Sequence, residues 1–408
     1  MTLVRPFAAL RPTPEHAADV IAPPYDVVGT DEARALAAGK PSSFLHISRP
    51  EIDLPESSSP YSDEAYAQGA RSLARLVESG VLVRDDAPSF YVYRMTMNGR
   101  SQSGVALAAS VRAYEENRIR RHELTRPDKE NDRARNIASL NAQTGPVLLA
   151  YRANAALRDL TRAASRGEPL FAVAGPNDVE HAVWRVAARD DVAAFQAAFD
   201  ALDALYIADG HHRSAAAARV AAERRGSPDA SHELFLAVAF PHDEMTILDY
   251  NRVVRDLNGL APDALLERIG EAFAVTPLPG AKSPARPETF SMYLAGRWHA
   301  LEIRSERVPR HDPVASLDVS LLQDHLLAPL LGIGDPRTDT RIDFVGGIRG
   351  LAELERRVQT GRAAAAFALH PTRMEQLMAV ADAGRLMPPK STWFEPKLAD
   401  GLLSHVLD

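Results

Sequence analysis

The stretch from Leu205 to Arg225, LYIADGHHRSAAAARVAAERR, limits what this chain can fold into more than any other segment. Leu205, Tyr206, Ile207 and Ala208 form a short apolar run of the kind a buried strand requires, and Asp209-Gly210 ends it. From His211 onward the alanines favour helix. Gly226 supplies a stop just past Arg224 and Arg225. The expected pattern is strand, tight turn, helix. Asp209, His211, His212 and Arg213 then stand at the helix entrance, where unpaired N–H groups and the helix dipole favour anions. Two imidazoles and a guanidinium at that point suit phosphate binding or phosphoryl transfer. The plainer alternative makes Asp209 a helix cap and the histidines surface residues.

The chain has 408 residues, enough for two or three domains. Its 47 basic and 54 acidic residues give a net charge of −7, which argues against a general nucleic-acid or anionic-membrane binder. The absence of cysteine excludes disulfides, thiolate catalysis and cysteine-held metal clusters. The N-terminal sequence shows no signal-peptide pattern, and no apolar run is long enough for a membrane span, so a cytoplasmic protein is expected.

Residues 1–30 are proline-rich, and Pro23-Pro24 would present Tyr25 and Asp26 at a fixed angle, in a plain turn or a substrate-lining loop. The segment SSFLHISRP reads as a strand. Tyr61–Gly80 reads as an amphipathic helix, and the segments either side of Asn98-Gly99 as a hairpin. Glu115–Arg135 carries seven bases and six acids. It is either a solvated helix face or a loop handling phosphate and metal, and Pro127 favours the loop. In the loop reading His122 and Glu123 supply a base, Arg121, Arg126 and Lys129 hold phosphates, and Glu130 or Asp132 helps to place Mg²⁺. Asp209 is a second candidate for the ion, or for orienting a histidine. Near the C-terminus, Lys390-Ser391-Thr392 offers a cation and two hydroxyls to a phosphate, or else is ordinary packing. No GxxxxGK[ST] or GxGxxG pattern occurs.

The segments IAPPYDVV, SFLHISRPEID, HELTRPDKENDR, IADGHHR and MPPKSTWFEPK together resemble the family DUF1015 across nearly the whole chain. The motif Asp209-Gly210-His211-His212-Arg213 with its alanine-rich helix resembles the ParB/sulfiredoxin-like superfamily, in particular its free-serine kinase branch. Strand–helix alternations and hairpins predict a mixed-sheet α+β fold with a second C-terminal α/β module after Asn251, and the resemblance implies that its core is ParB/sulfiredoxin-like. The expected division is 1–255, the catalytic domain, and 256–408. The resemblance also implies a phosphotransferase using a nucleotide, ADP or ATP, with Mg²⁺, on a small hydroxylated metabolite such as serine or phosphoserine. Glu123, with His122 as second choice, would be the base; Asp209, His211 and His212 complete the catalytic set. Gly210, Arg213, Arg121, Arg126, Lys129, Lys390, Ser391 and Thr392 would bind phosphate or nucleotide, and Tyr25 and Asp26 the substrate. Phosphomonoester hydrolysis in the same site and a non-catalytic nucleotide- or metabolite-controlled switch stay open. The expected partner is a small molecule, with neither nucleic acid nor membrane.

Overall fold

The computed structural model describes residues 2–224, 226–227 and 230–408; Arg225, at the end of the expected central helix, lies outside them. The chain forms two compact units: residues 1–245 with 396–408, and residues 246–395.

The first unit is built on a nine-stranded mixed sheet. Phe90–Met97 and Arg100–Ser110 pair antiparallel about Asn98-Gly99, whose φ values of 52° and 75° suit a tight hairpin turn. Leu205–Asp209 lies parallel to Ile119–Arg120 and antiparallel to Val147–Tyr151, which in turn runs parallel to Leu234–Pro241. Strands buried on both faces must be apolar, and Val147–Tyr151 and Leu234–Pro241 are buried at every residue. Phe90, Phe195, Phe199, Tyr151 and Phe235 form the main core with the alanine face of the helix His211–Arg224. Its small side chains let that helix lie close to the helix Pro127–Leu140. A second core, around Phe44, Ile47, Leu73 and Leu76, packs under the helix Asp63–Glu78.

The second unit holds an antiparallel six-stranded sheet, with apolar clusters around Phe290, Phe367 and Leu326 and around Tyr293, Trp298 and Leu354. The mixed-sheet α+β class expected from the sequence is therefore present. No helix among the described residues is long and apolar enough to cross a membrane.

Two local expectations fail. SSFLHISRP is a helical turn, Leu45–Ser48, followed by a 3₁₀ turn, Pro50–Asp53. A strand would send Phe44 and Leu45 to opposite faces, whereas a helix buries Phe44, Leu45 and Ile47 together. Pro127 does not break a helix but begins one. The first helical residue needs no N–H partner, and Asp128 and Glu130 in the first turn complement the dipole.

The last segment of the chain returns to the first unit. Asp400 bridges Ala22, and Ser404–Val406 joins a four-stranded sheet beside Ala9–Pro12 and Ala142–Gln143. Gly401 has φ +92°, and a Cβ there would lie 2.8 Å from that of Phe44. Only glycine passes without displacing the ring, and this fixes where Asp400 is held.

Candidate functional site

Asp209 ends its strand, Gly210 turns at φ +99°, and the helix starts at His211 with the Gly210 carbonyl accepting from the Arg213 and Ser214 amides at 2.9 and 3.0 Å. A Cβ on Gly210 would come within 3.0 Å of Arg213 Nε, so this glycine also makes room for the guanidinium. Arg213 then folds back. Its Nη1 donates to the Pro146 carbonyl, and its Nη2 lies 3.5 Å from Asp209 Oδ2. Lys397 Nζ stands at the same distance from that oxygen, 3.5 Å. Burial would raise the Asp209 carboxyl, but Lys397, Arg213 and His211 outweigh it and hold the group well below the ordinary carboxylate range.

This geometry changes the picture of the motif. Arg213 is not at a rim: its side chain is 10% exposed. His211 is buried, and burial, then His122, keep its imidazole neutral well below the usual range, against Asp209. Its Nε2 accepts from the His122 backbone N–H at 3.5 Å, and its Nδ1 lies 3.8 Å from Glu123 Oε2. The His122 and His211 rings meet edge to face at 4.4 Å. Glu123 keeps 57% of its side chain exposed, so its carboxylate reaches solvent while its inner side faces His211. His212 is half-buried, and its Nε2 accepts from the Arg126 N–H at 3.1 Å.

A small, partly open cleft lies beside this turn. Arg213, Arg133, Tyr25, Ser48, Gly145 and Asp400 are among the residues that line it. Arg133 is held by Asp132 at 2.7 Å, and its guanidinium lies 3.8 Å from the centre of the Tyr25 ring. Burial pushes the Tyr25 phenol up to about 12, against Arg133. Asp400 Oδ2 accepts from the Tyr25 N–H at 3.2 Å. Burial pushes the Asp400 carboxyl up to about 7, opposed by Arg213 and reinforced by Asp26.

The predicted residues separate into groups. Tyr25 and Arg213 share the cleft; Asp26 is exposed beside Tyr25. Glu123, His122 and His211 form a second cluster, and Asp209 and Gly210 join them to Arg213. Arg121 lies on the Tyr114 ring, Lys129 on the Tyr61 ring, and Arg126 pairs with Asp128, all away from the cleft lining. Lys390, Ser391 and Thr392 belong to the second unit, where Lys390 lies over Tyr250 and the Ser391 hydroxyl donates to the Pro388 carbonyl. Sequence reasoning missed Arg133, Ser48, Lys397 and Asp400. The dipeptide Asp400-Gly401 repeats the Asp209-Gly210 pattern and was the one available signal.

The metal expectation can be tested on these contacts. Asp209 already faces a guanidinium and an amine, so its charge is compensated, and Glu130 accepts from the Thr125 hydroxyl. This pair does not fit Mg²⁺, a hard cation that needs several unclaimed oxygens. Ligand atoms of His122, Glu123 and His211 all lie within 4.8 Å of one another.

A sequence-family model described as "Protein of unknown function (DUF1015)" matches residues 4–320. The chain belongs to this family. Asp400 and Lys397 lie beyond the DUF1015 match. No curated protein matches the chain in sequence. Among solved structures, a free serine kinase variant in complex with AMP is similar at 13% identity and a TM-score of 0.35, over 71% of this DUF1015 chain and 86% of that one. A conserved hypothetical protein from Pyrococcus furiosus gives 14% and 0.35, over 74% and 94%. SbnI from Staphylococcus aureus, truncated at its C-terminus, gives 10% and 0.37, over 72% and 85%.

Burial has a measurable consequence at His122, whose imidazole it holds down at about 4, against the Ile207 backbone and Asp209. The unfolded chain takes up a proton near 6.5 that the folded chain refuses, so this group's stabilisation is complete above 6.5 and lost as pH falls toward about 4. Two and a half units amount to roughly 3 kcal/mol. Asp400 acts in the opposite sense, so the test is a difference between variants. Urea unfolding at pH 7.5 and 4.5 should show a smaller acid loss in His122→Gln than in the wild type. Equal losses would mean that His122 is protonated in the fold.

Proposed function

We propose that the first unit is a phosphotransferase site, moving a phosphoryl group between a nucleotide, ATP or ADP, and a small hydroxylated metabolite. Serine and phosphoserine are the first candidates. The carrying observation is the Asp209–Arg213 turn: a buried guanidinium and the Lys397 amine flank a carboxylate at a helix N-terminus, beside a cleft with a second guanidinium. Phosphoryl transfer makes few covalent demands on a protein and depends on fixed positive groups around the transferring phosphate. It also needs a base for the acceptor hydroxyl. Glu123 is suited to that role because its side chain is 57% exposed and its carboxylate lies 3.8 Å from the His211 imidazole. His211 is too buried to touch substrate; it lies against Glu123 and holds the His122 N–H, while His212 holds the Arg126 N–H, and together they tie the 122–126 segment to the helix start.

The same groups can hydrolyse a phosphomonoester, and the exposure of Glu123 to water is the observation that favours this second reading. Phosphorus NMR on the full chain, incubated with ATP or ADP and a panel of hydroxy amino acids and their phosphate esters, separates the two. Transfer produces a new ester matched by nucleotide conversion, and hydrolysis releases inorganic phosphate alone. No change in any mixture would reject both.

A further inference from the structure

We propose that Asp400 holds the ammonium group of a small zwitterionic ligand whose acidic end lies against Arg213 and Arg133. The inference rests on the reading of this cleft as a site for small phosphorylated metabolites, and it narrows their class to amino-bearing compounds.

Two buried polar atoms at the cleft lining lack a partner among the described residues. One is Asp400 Oδ1, in a residue 1% exposed; the other is the hydroxyl of Ser48, 5% exposed. Unpaired polar atoms at such depth are costly and uncommon, and each calls for a partner from outside the chain or a role of its own. The other Asp400 oxygen is already used by the Tyr25 N–H, which fixes the carboxyl group's orientation at the cleft lining, with Oδ1 buried and unpaired among the described residues. A Cβ on Gly145 would lie 3.5 Å from Asp400 Oδ1 and 3.4 Å from Arg213 Cδ. A bare glycine thus borders the gap that separates the carboxylate from the guanidinium. A cleft with two guanidiniums and one oriented carboxylate matches a molecule carrying an acid and an amine a few bonds apart. It is a poor match for a simple dianion, which would bring negative charge against Asp400.

Titration calorimetry on the full chain would use three ligands: phosphoserine, phosphoglycerate, in which a hydroxyl replaces the ammonium, and phosphoethanolamine, which lacks the carboxylate. Phosphoserine should bind about 10- to 150-fold more tightly than phosphoglycerate, the range of one charge-assisted contact. Asp400→Asn should bring that ratio near one by weakening phosphoserine alone. Near-UV circular dichroism checks its fold, and the wild-type series remains decisive if the variant does not fold. Equal wild-type affinities, a preference for phosphoglycerate, binding of none of the three, or an equal loss for both ligands in the variant would each overturn the proposal. Transfer from ATP to glycerate as fast as to serine would overturn it while sparing the phosphotransferase reading. A phosphoserine preference without any transfer would do the converse.

Discussion

Replacing Glu123 by Gln is expected to slow phosphoryl transfer by about 10²–10⁴-fold, the range for losing a positioned base. Gln keeps the shape and the polar contact toward His211 Nδ1 but cannot accept the acceptor's proton. Because more than half of the side chain is exposed, thermal stability should change little. Nucleotide affinity should also hold, since the positive groups of the site lie on Arg213, Lys397 and Arg133. The measurement is single-turnover transfer by phosphorus NMR or a radiolabelled nucleotide, with a thermal melt on the same sample. Transfer within threefold of wild type would remove Glu123 from the chemistry. A slowed reaction with a lowered melting temperature would point to a structural role through His211.

Arg213→Ala should have the largest combined effect. In the sequence this residue reads as a phosphate-binding arginine at the helix entrance; in the structure it is buried between Asp209 and the Pro146 carbonyl. Removing one member of a fully buried charge pair typically costs about 3–5 kcal/mol, and the Asp209 side chain is 35% exposed, so the cost here lies at or below the foot of that range. Lys397 continues to face Asp209, which limits the loss in the same direction. Binding of nucleotide or phosphoserine should fall as well, by about 10- to 150-fold for one charge-assisted contact. Arg213→Lys should recover part of the stability and little of the affinity, since an ammonium cannot reach two acceptors in the guanidinium's plane. Urea unfolding and calorimetric titration on the same preparations decide between the roles. Stability lost with affinity intact would make Arg213 a structural residue. Unchanged stability would contradict its buried pairing.

The local order of the chain was legible where neighbouring residues alone set it. The apolar run before Asp209-Gly210 and the alanines after it define strand, turn and helix, because φ freedom at glycine and helix propensity act within a few residues. Asn98-Gly99 gave the hairpin for the same reason. Short mixed segments were ambiguous. Phe44, Leu45 and Ile47 suit either period, and the core beside them made the choice. Pro127 stops one helix or starts another, according to what precedes it in space.

The motif residues of the site could be read from the sequence, but their environment could not. Nothing near Arg213 in the chain says that its guanidinium is buried, because the Pro146 carbonyl and Lys397 reach it from distant segments. Asp400 acquires its place only when residues 396–408 cross back to the first unit and pair with Ala22. Charge, turn chemistry and periodicity are properties of neighbours in sequence. Desolvation, pairing and an unpartnered carboxylate oxygen are properties of neighbours in space, and only the tertiary fold creates them.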